Sequence, residues 1–123
     1  MVATTDFGKD IDLRDVRFVI HTYVPKNLQS YIKETLNVGK DGIPVDCILF
    51  YSYNERKQYD DLFMKNKYFQ LQRRYQNYYA LNRQLLYCEE NMVCRRKQLL
   101  EFMGEEFDAK DCKGMCDNCQ KKD

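Results

Sequence analysis

Cys112-Lys113-Gly114-Met115-Cys116-Asp117-Asn118-Cys119, read together with Cys94, which seventeen intervening residues separate from Cys112, decides the C-terminal half of the chain. Tetrahedral zinc needs four donors whose sulfurs converge at about 2.3 Å from the ion, and a Cys-x2-Cys turn offers two of them with little backbone strain. Cys116-Asp117-Asn118-Cys119 is such a turn, and the three residues after Cys112 keep that thiol beside it. Cys94 can rejoin the cluster only if the chain between 94 and 112 reverses, and Gly104 is placed to allow that. The expected cofactor is therefore one structural Zn2+ held by Cys94, Cys112, Cys116 and Cys119. Four thiolates with no obvious fifth donor make a closed site, structural in character. An iron–sulfur cluster would use the same four ligands but usually sits in a more apolar shell, and an incidental cluster or redox pair would use fewer. Arg95 follows the first ligand and Asp117 the third, so an ion pair between them would tie the helix to the zinc loop.

Working outward, residues about 94–103 carry Leu99, Leu100 and Met103 at helical spacing. Residues about 70–89 carry Leu71, Tyr75, Tyr78, Tyr79, Leu85 and Leu86 in the same way, and residues 54–67 place Tyr59, Leu62, Phe63 and Met64 toward one helical face. Two antiparallel helices feeding the cysteine loop are the simplest arrangement. Before Ser52 the texture differs. Residues 16–24 (VRFVIHTYV) are β-branched and aromatic and stop at Pro25, which predicts a buried strand. Leu28, Tyr31, Ile32 and Thr35 predict a short helix that breaks at Gly39-Lys40-Asp41-Gly42. Residues 47–51 (CILFY) form an apolar run of strand length, completing a parallel β-α-β unit. Two strands do not make a stable open sheet alone, so another surface must cover their edges. Cys47 reads as a small buried side chain and His21 as a packed, hydrogen-bonded histidine.

The totals exclude several classes. Twenty basic and nineteen acidic residues leave a formal charge of +1, so any nucleic-acid surface must be local. The run Met1-Val2-Ala3-Thr4-Thr5-Asp6 lacks the basic start and apolar core of a secretory signal, and no stretch of 18 apolar residues exists, which predicts an intracellular protein without a membrane partner. Four of six cysteines crowd into the last 30 residues, a distribution that favours metal over disulfides. No Gly-x4-Gly-Lys-Ser/Thr phosphate loop is present, so this chain alone hydrolyses no ATP.

Three segments, Asp15-Val16-Arg17-Phe18-Val19-Ile20-His21, Pro25-Lys26-Asn27-Leu28-Gln29-Ser30-Tyr31 and Asp46-Cys47-Ile48-Leu49-Phe50-Tyr51-Ser52, resemble the end of the second RecA-like lobe of RecQ-family DNA helicases. Cys94-Arg95-Arg96-Lys97-Gln98-Leu99-Leu100 with the Cys116 to Cys119 turn resembles their zinc module, and Glu106-Phe107-Asp108 suits the Bloom-type and fungal branch. The resemblance implies a partial RecA-like lobe over 1–53 and a helical zinc-binding domain over 54–123. It also implies a nuclear, ATP-dependent 3′-to-5′ DNA-unwinding parent in which ATP and Mg2+ act only in the complete protein.

The chain departs from the family where catalysis lives. The motif V pattern Ala-Phe-Gly-Met-Gly-Ile stands here as Asp6-Phe7-Gly8-Lys9-Asp10-Ile11. The motif VI pattern Gln-Glu-x-Gly-Arg-Ala-Gly-Arg-Asp-Gly stands as Lys33-Glu34-Thr35-Leu36-Asn37-Val38-Gly39-Lys40-Asp41-Gly42. Both arginines are lost, and neither asparagine nor the point charge of a lysine reproduces a guanidinium fork on a transferring phosphate. A degenerate motor is the expectation. Two functions follow: DNA binding through Arg73, Arg74, Arg83, Arg96 and Lys97 among Tyr75, Tyr78, Tyr79 and Tyr87, or a docking or self-association surface for another protein.

Overall fold

The computed structural model describes residues 15–36, 38–39, 41–65 and 71–121, with the side chains of 71, 72 and 74 outside that description. The order is β1 (Phe18–His21), α1 (Leu28–Leu36), β2 (Asp46–Leu49), α2 (Tyr53–Lys65), α3 (Leu71–Glu89), α4 (Arg95–Phe102), a 3-10 turn η1 (Ala109–Cys112) and α5 (Asp117–Gln120). A small parallel α/β unit is thus followed by a helical zinc-type module, as the sequence predicts.

β1 and β2 pair in parallel with Phe18 opposite Asp46 and Ile20 opposite Ile48. Backbone bonds from Asp46 N–H to the Arg17 carbonyl and from Phe50 N–H to the His21 carbonyl extend the ladder at both ends. Between the strands, Asn27 Oδ1 accepts the Ser30 N–H at 2.7 Å and caps the start of α1. His21 Nε2 lies 2.6 Å from Glu34 Oε2 and its ring tilts against Tyr31 at 5.2 Å, so the histidine is packed and bonded.

The sheet is less covered than its apolar sequence predicts. Phe18 is 63% exposed and Ile20 55%, with Ile48 and Phe50 also open. Their alternation puts Phe18, Ile20 and Ile48 on one face, while Leu49 on the other packs toward the core. A β-branched run reads as buried because in a complete parallel sheet both faces are covered; within the described residues only one is. Cys47, expected to be buried, is exposed: it shares the face of Leu49, but of the two only Leu49 reaches the core cluster.

α1 lays Leu28, Tyr31 and Ile32 against Tyr87 of α3, with Leu49, Cys88, Leu99 and Phe102 completing the cluster. The core therefore lies between the α/β unit and the zinc-side helices rather than within either. α2 has no fully buried residue, and Leu62 and Met64 of its expected apolar face are exposed. Polar contacts hold it to α3 instead. Arg56 Nη2 donates to Asn82 Oδ1 at 2.6 Å and Nη1 to Glu89 at 3.3 Å, Glu89 also accepts the Tyr51 hydroxyl, and Phe63 stacks on Tyr78 at 4.0 Å.

α4 ends in a Schellman turn. Gly104 N–H reaches the Glu101 carbonyl at 3.0 Å and Glu105 N–H reaches that of Leu100 at 2.9 Å, with Gly104 at φ +83°. This is the reversal that returns the chain to Cys94. A Cβ at Gly104 would meet no atom within 4 Å, so only backbone strain opposes it. Gly104→Ala is expected to cost about 1–2 kcal/mol, checked by urea denaturation; an unchanged midpoint would show that the turn does not depend on the left-handed residue.

Candidate metal centre

Three elements, α4, η1 and α5, deliver the four cysteines. Cys94 is the N-cap of α4 and Cys112 ends η1, which starts with Asp108 Oδ1 accepting the Lys110 N–H at 2.9 Å. Lys113 and Gly114, both left-handed with φ 53° and 71°, then turn the chain so that Cys116 caps α5 and Cys119 lies within it. All four Sγ atoms fall within 4.8 Å of one another, and Cys94 and Cys112 are buried.

The fit to zinc can be tested on the sulfurs. Bonds of about 2.3 Å in a regular tetrahedron place sulfurs about 3.8 Å apart. Cys94 Sγ and Cys116 Sγ are 3.9 Å apart, a zinc-ligand separation and nearly twice the roughly 2.05 Å of a disulfide. Among the described residues no histidine or carboxylate joins the group, so the donor set is all sulfur and the site is closed. The cluster fits one structural Zn2+. Cys88 stands apart, its thiol pushed up to about 11 by burial.

Backbone amides favour thiolate here. Arg95 N–H points at Cys116 Sγ from 3.4 Å. Desolvation pushes the Cys116 thiol up, but the N–H groups of Arg95 and Cys119, together with hydrogen bonds from the Cys119 and Cys112 thiols, more than offset it and bring it down to about 7.

Arg95 and Asp117 meet as a fork. Nε lies 3.0 Å from Oδ1 and Nη2 3.2 Å from Oδ2, and the guanidinium holds the Asp117 carboxyl below the usual carboxylate range. The same side chain donates through Nη1 to the Tyr87 carbonyl and lies 5.2 Å over the Tyr87 ring. Arg95 thus spans α3, α4 and the zinc loop.

Asn118 was not legible as functional in the sequence. It is fully buried, and its Nδ2 donates to the carbonyls of Glu90 at 3.0 Å and Val93 at 2.7 Å. Its position between two ligand cysteines is the one local signal that could have raised it.

The remaining expected residues scatter. Arg73, Arg83 and Arg96 are exposed, with Arg83 5.1 Å over the Phe102 ring and Arg96 Nη1 3.8 Å from Met115 Sδ. Lys97 pairs with Glu101 at 3.6 Å. Of the tyrosines, Tyr87 is in the core and Tyr78 bonds Asp60, while Tyr75 and Tyr79 are exposed. Lys33 is exposed on α1, and Asp41 is held by Arg17. Asn37, Lys40, the side chain of Arg74 and the motif V stretch 6–11 lie outside the described residues.

A four-cysteine centre closing a helical hairpin defines a zinc-binding module, and comparison identifies its kind. The RecQ zinc-binding family model matches residues 54–120, so the chain belongs to the RecQ zinc-binding family. It is 40% identical over 119 residues to the ATP-dependent DNA helicase hus2/rqh1 of Schizosaccharomyces pombe, covering 97% of this chain and 9% of that protein. It is 36% identical over 118 residues to the ATP-dependent helicase SGS1 of Saccharomyces cerevisiae (96% and 8%) and 38% over 125 to the RecQ-like DNA helicase BLM of Xenopus laevis (98% and 9%). These relatives are RecQ-family helicases of the Bloom-type branch, matched over nearly the whole chain, and the chain spans less than a tenth of their length. Among the described residues no helix is long and apolar enough to cross a membrane.

Proposed function

We propose that this chain is the zinc-stabilised DNA-binding and scaffold module of a RecQ-like DNA helicase, itself without ATPase or unwinding activity. The all-cysteine cluster at the base of the α3–α4 hairpin carries the reading. Cys94, Cys112, Cys116 and Cys119 are the zinc ligands, and Arg95 and Asp117 brace them from outside. Residues 1–53 are the remnant of a RecA-like lobe and 54–123 the zinc domain, a boundary of ancestry that the shared core bridges. ATP and Mg2+ would act only in the complete parent, and nuclear residence follows from the DNA helicases it resembles.

DNA is the partner proposed for the exposed cations. Arg73, Arg83 and Arg96 have no carboxylate partner among the described residues, so each can meet a phosphate. Lys97 would first exchange Glu101 for it. With three phosphate contacts, log–log salt slopes of about −0.9 per contact give roughly a 40-fold weakening between 50 and 200 mM salt. A gel shift across that range checks this; a change under about threefold would sink the DNA reading.

The alternative is a protein-docking or self-association module, favoured by the exposed Phe18, Ile20 and Ile48 on one sheet face. A sizing run on the same samples separates the two, because an apolar interface changes little with salt. The altered motif VI residues Lys33, Asn37 and Lys40 support an impaired parental motor. DNA-stimulated ATP turnover by the full-length parent equal to that of an intact RecQ enzyme would exclude it.

A further inference from the structure

Three of the four sulfurs belong to one short stretch, residues 112–119, but Cys94 is separated from it by a whole helix. A site whose ligands come from distant segments needs something to hold those segments in register before the ion arrives, since otherwise the ordering cost is subtracted from metal affinity. Arg95 and Asp117 sit at 17% and 54% side-chain exposure, so water competes for that pair and it is an incomplete clamp. A second link starts from a fully buried side chain.

That link is Asn118. Its Nδ2 reaches two carbonyls, Val93, which immediately precedes Cys94, and Glu90, at the end of α3. Two carbonyl acceptors facing one amide determine its orientation, because only the nitrogen can donate. The Val93 carbonyl also accepts Gln98 Nε2 of α4 at 3.0 Å, and the turn that carries both carbonyls is itself tied down. Glu90 Oε1 accepts the Met92 and Val93 N–H groups at 2.7 and 3.2 Å, which closes the α3–α4 turn into a tight loop. The amide therefore grips a rigid turn one residue before the isolated ligand, while the backbone of Asn118 lies between Cys116 and Cys119.

We infer that Asn118 is the positioning residue that sets Cys94 against the other three sulfurs, so that its buried amide governs zinc affinity without touching the ion. The inference rests on the four cysteines being the ligands. Hydrogen-bonded neighbours of metal ligands typically contribute 10- to 100-fold in affinity. Asn118 does so from between two of the ligands and acts on the backbone beside a third.

The test compares the unsubstituted chain with Asn118→Ala and Asn118→Asp, titrated with Zn2+ against a chromophoric chelator and with Co2+, while circular dichroism follows helix content. The unsubstituted chain should bind one metal; failure there would overturn the ligand assignment, whatever Asn118 does. Asn118→Ala should still bind one metal, 10- to 100-fold more weakly, recover its helix content at saturating zinc, and give cobalt ligand-field bands shifted from those of the unsubstituted chain. Asn118→Asp keeps the size but, when ionised, has no donor, and should bind no better than Asn118→Ala. Affinity within twofold of the unsubstituted chain for either variant would overturn the inference. So would failure of Asn118→Ala to regain helix at saturating zinc, since Asn118 would then support the fold at large rather than the site.

Discussion

Replacing Cys112 by serine is expected to abolish zinc binding and unfold the chain from η1 through α5. Cys112 is completely buried at the end of a four-residue 3-10 turn, and η1 and α5 are too short to persist alone. The stretch between Gly104 and Lys121 buries little besides Cys112 and Asn118, so metal ligation supplies most of its order. Structural zinc contributes on the order of 10–16 kcal/mol of apparent binding energy in small modules, more than any side-chain contact here could replace. Metal analysis should show zinc falling from one per chain to near zero, and amide exchange across residues 109–120 should lose its protection. Chelation of the unsubstituted chain should reproduce both results. Cys47→Ser is the matched control, since Cys47 is exposed and remote from the cluster. One zinc retained in Cys112→Ser would remove Cys112 from the ligand set.

Tyr87→Ala is the second large effect, expected at about 3–5 kcal/mol from the lost aromatic volume and the cavity left behind. Tyr87 is 7% exposed, its ring 5.7 Å from that of Tyr31, and it is the α3 residue against which α1 is packed. The same ring lies under the Arg95 guanidinium, so its removal loosens the brace on the zinc loop as well. A loss of this size is comparable with the whole stability of many small domains. Tyr87→Phe keeps the ring and should cost only about 1 kcal/mol. Urea denaturation of both variants checks the pair. If Tyr87→Ala shifts stability by less than about 1 kcal/mol, the α/β unit and the zinc hairpin do not share a core.

The elements that were legible are those set by local periodicity. The helical spacing of Leu28, Tyr31 and Ile32 matched α1, and those residues are its buried ones. The strands lie where the sequence predicts them but are shorter and more exposed. Residues 16–24 are β-branched and aromatic throughout much of their length, yet the paired strand covers only Phe18–His21, because β2 offers just four residues to pair with. α2 does not bury the face its spacing predicts. Its apolar spacing is genuine, but Arg56 and its partners on α3 do the holding, and such partners lie up to 33 residues away in sequence.

That four thiols form a closed site is legible along the chain, because the spacing of Cys112, Cys116 and Cys119 brings three donors together through local turns. The helical and extended character of each segment is legible there too, since side-chain period is a property of neighbours along the chain. How the fourth thiol is brought in, and what keeps it there, depends on contacts between distant segments. Asn118 finds its acceptors 25 and 28 residues upstream, and Arg95 finds Tyr87 and Asp117 on two other elements. An asparagine in a turn carries no mark of such partners. What distinguishes it is complete burial of a side chain whose Nδ2 is received by two distant carbonyls already in place.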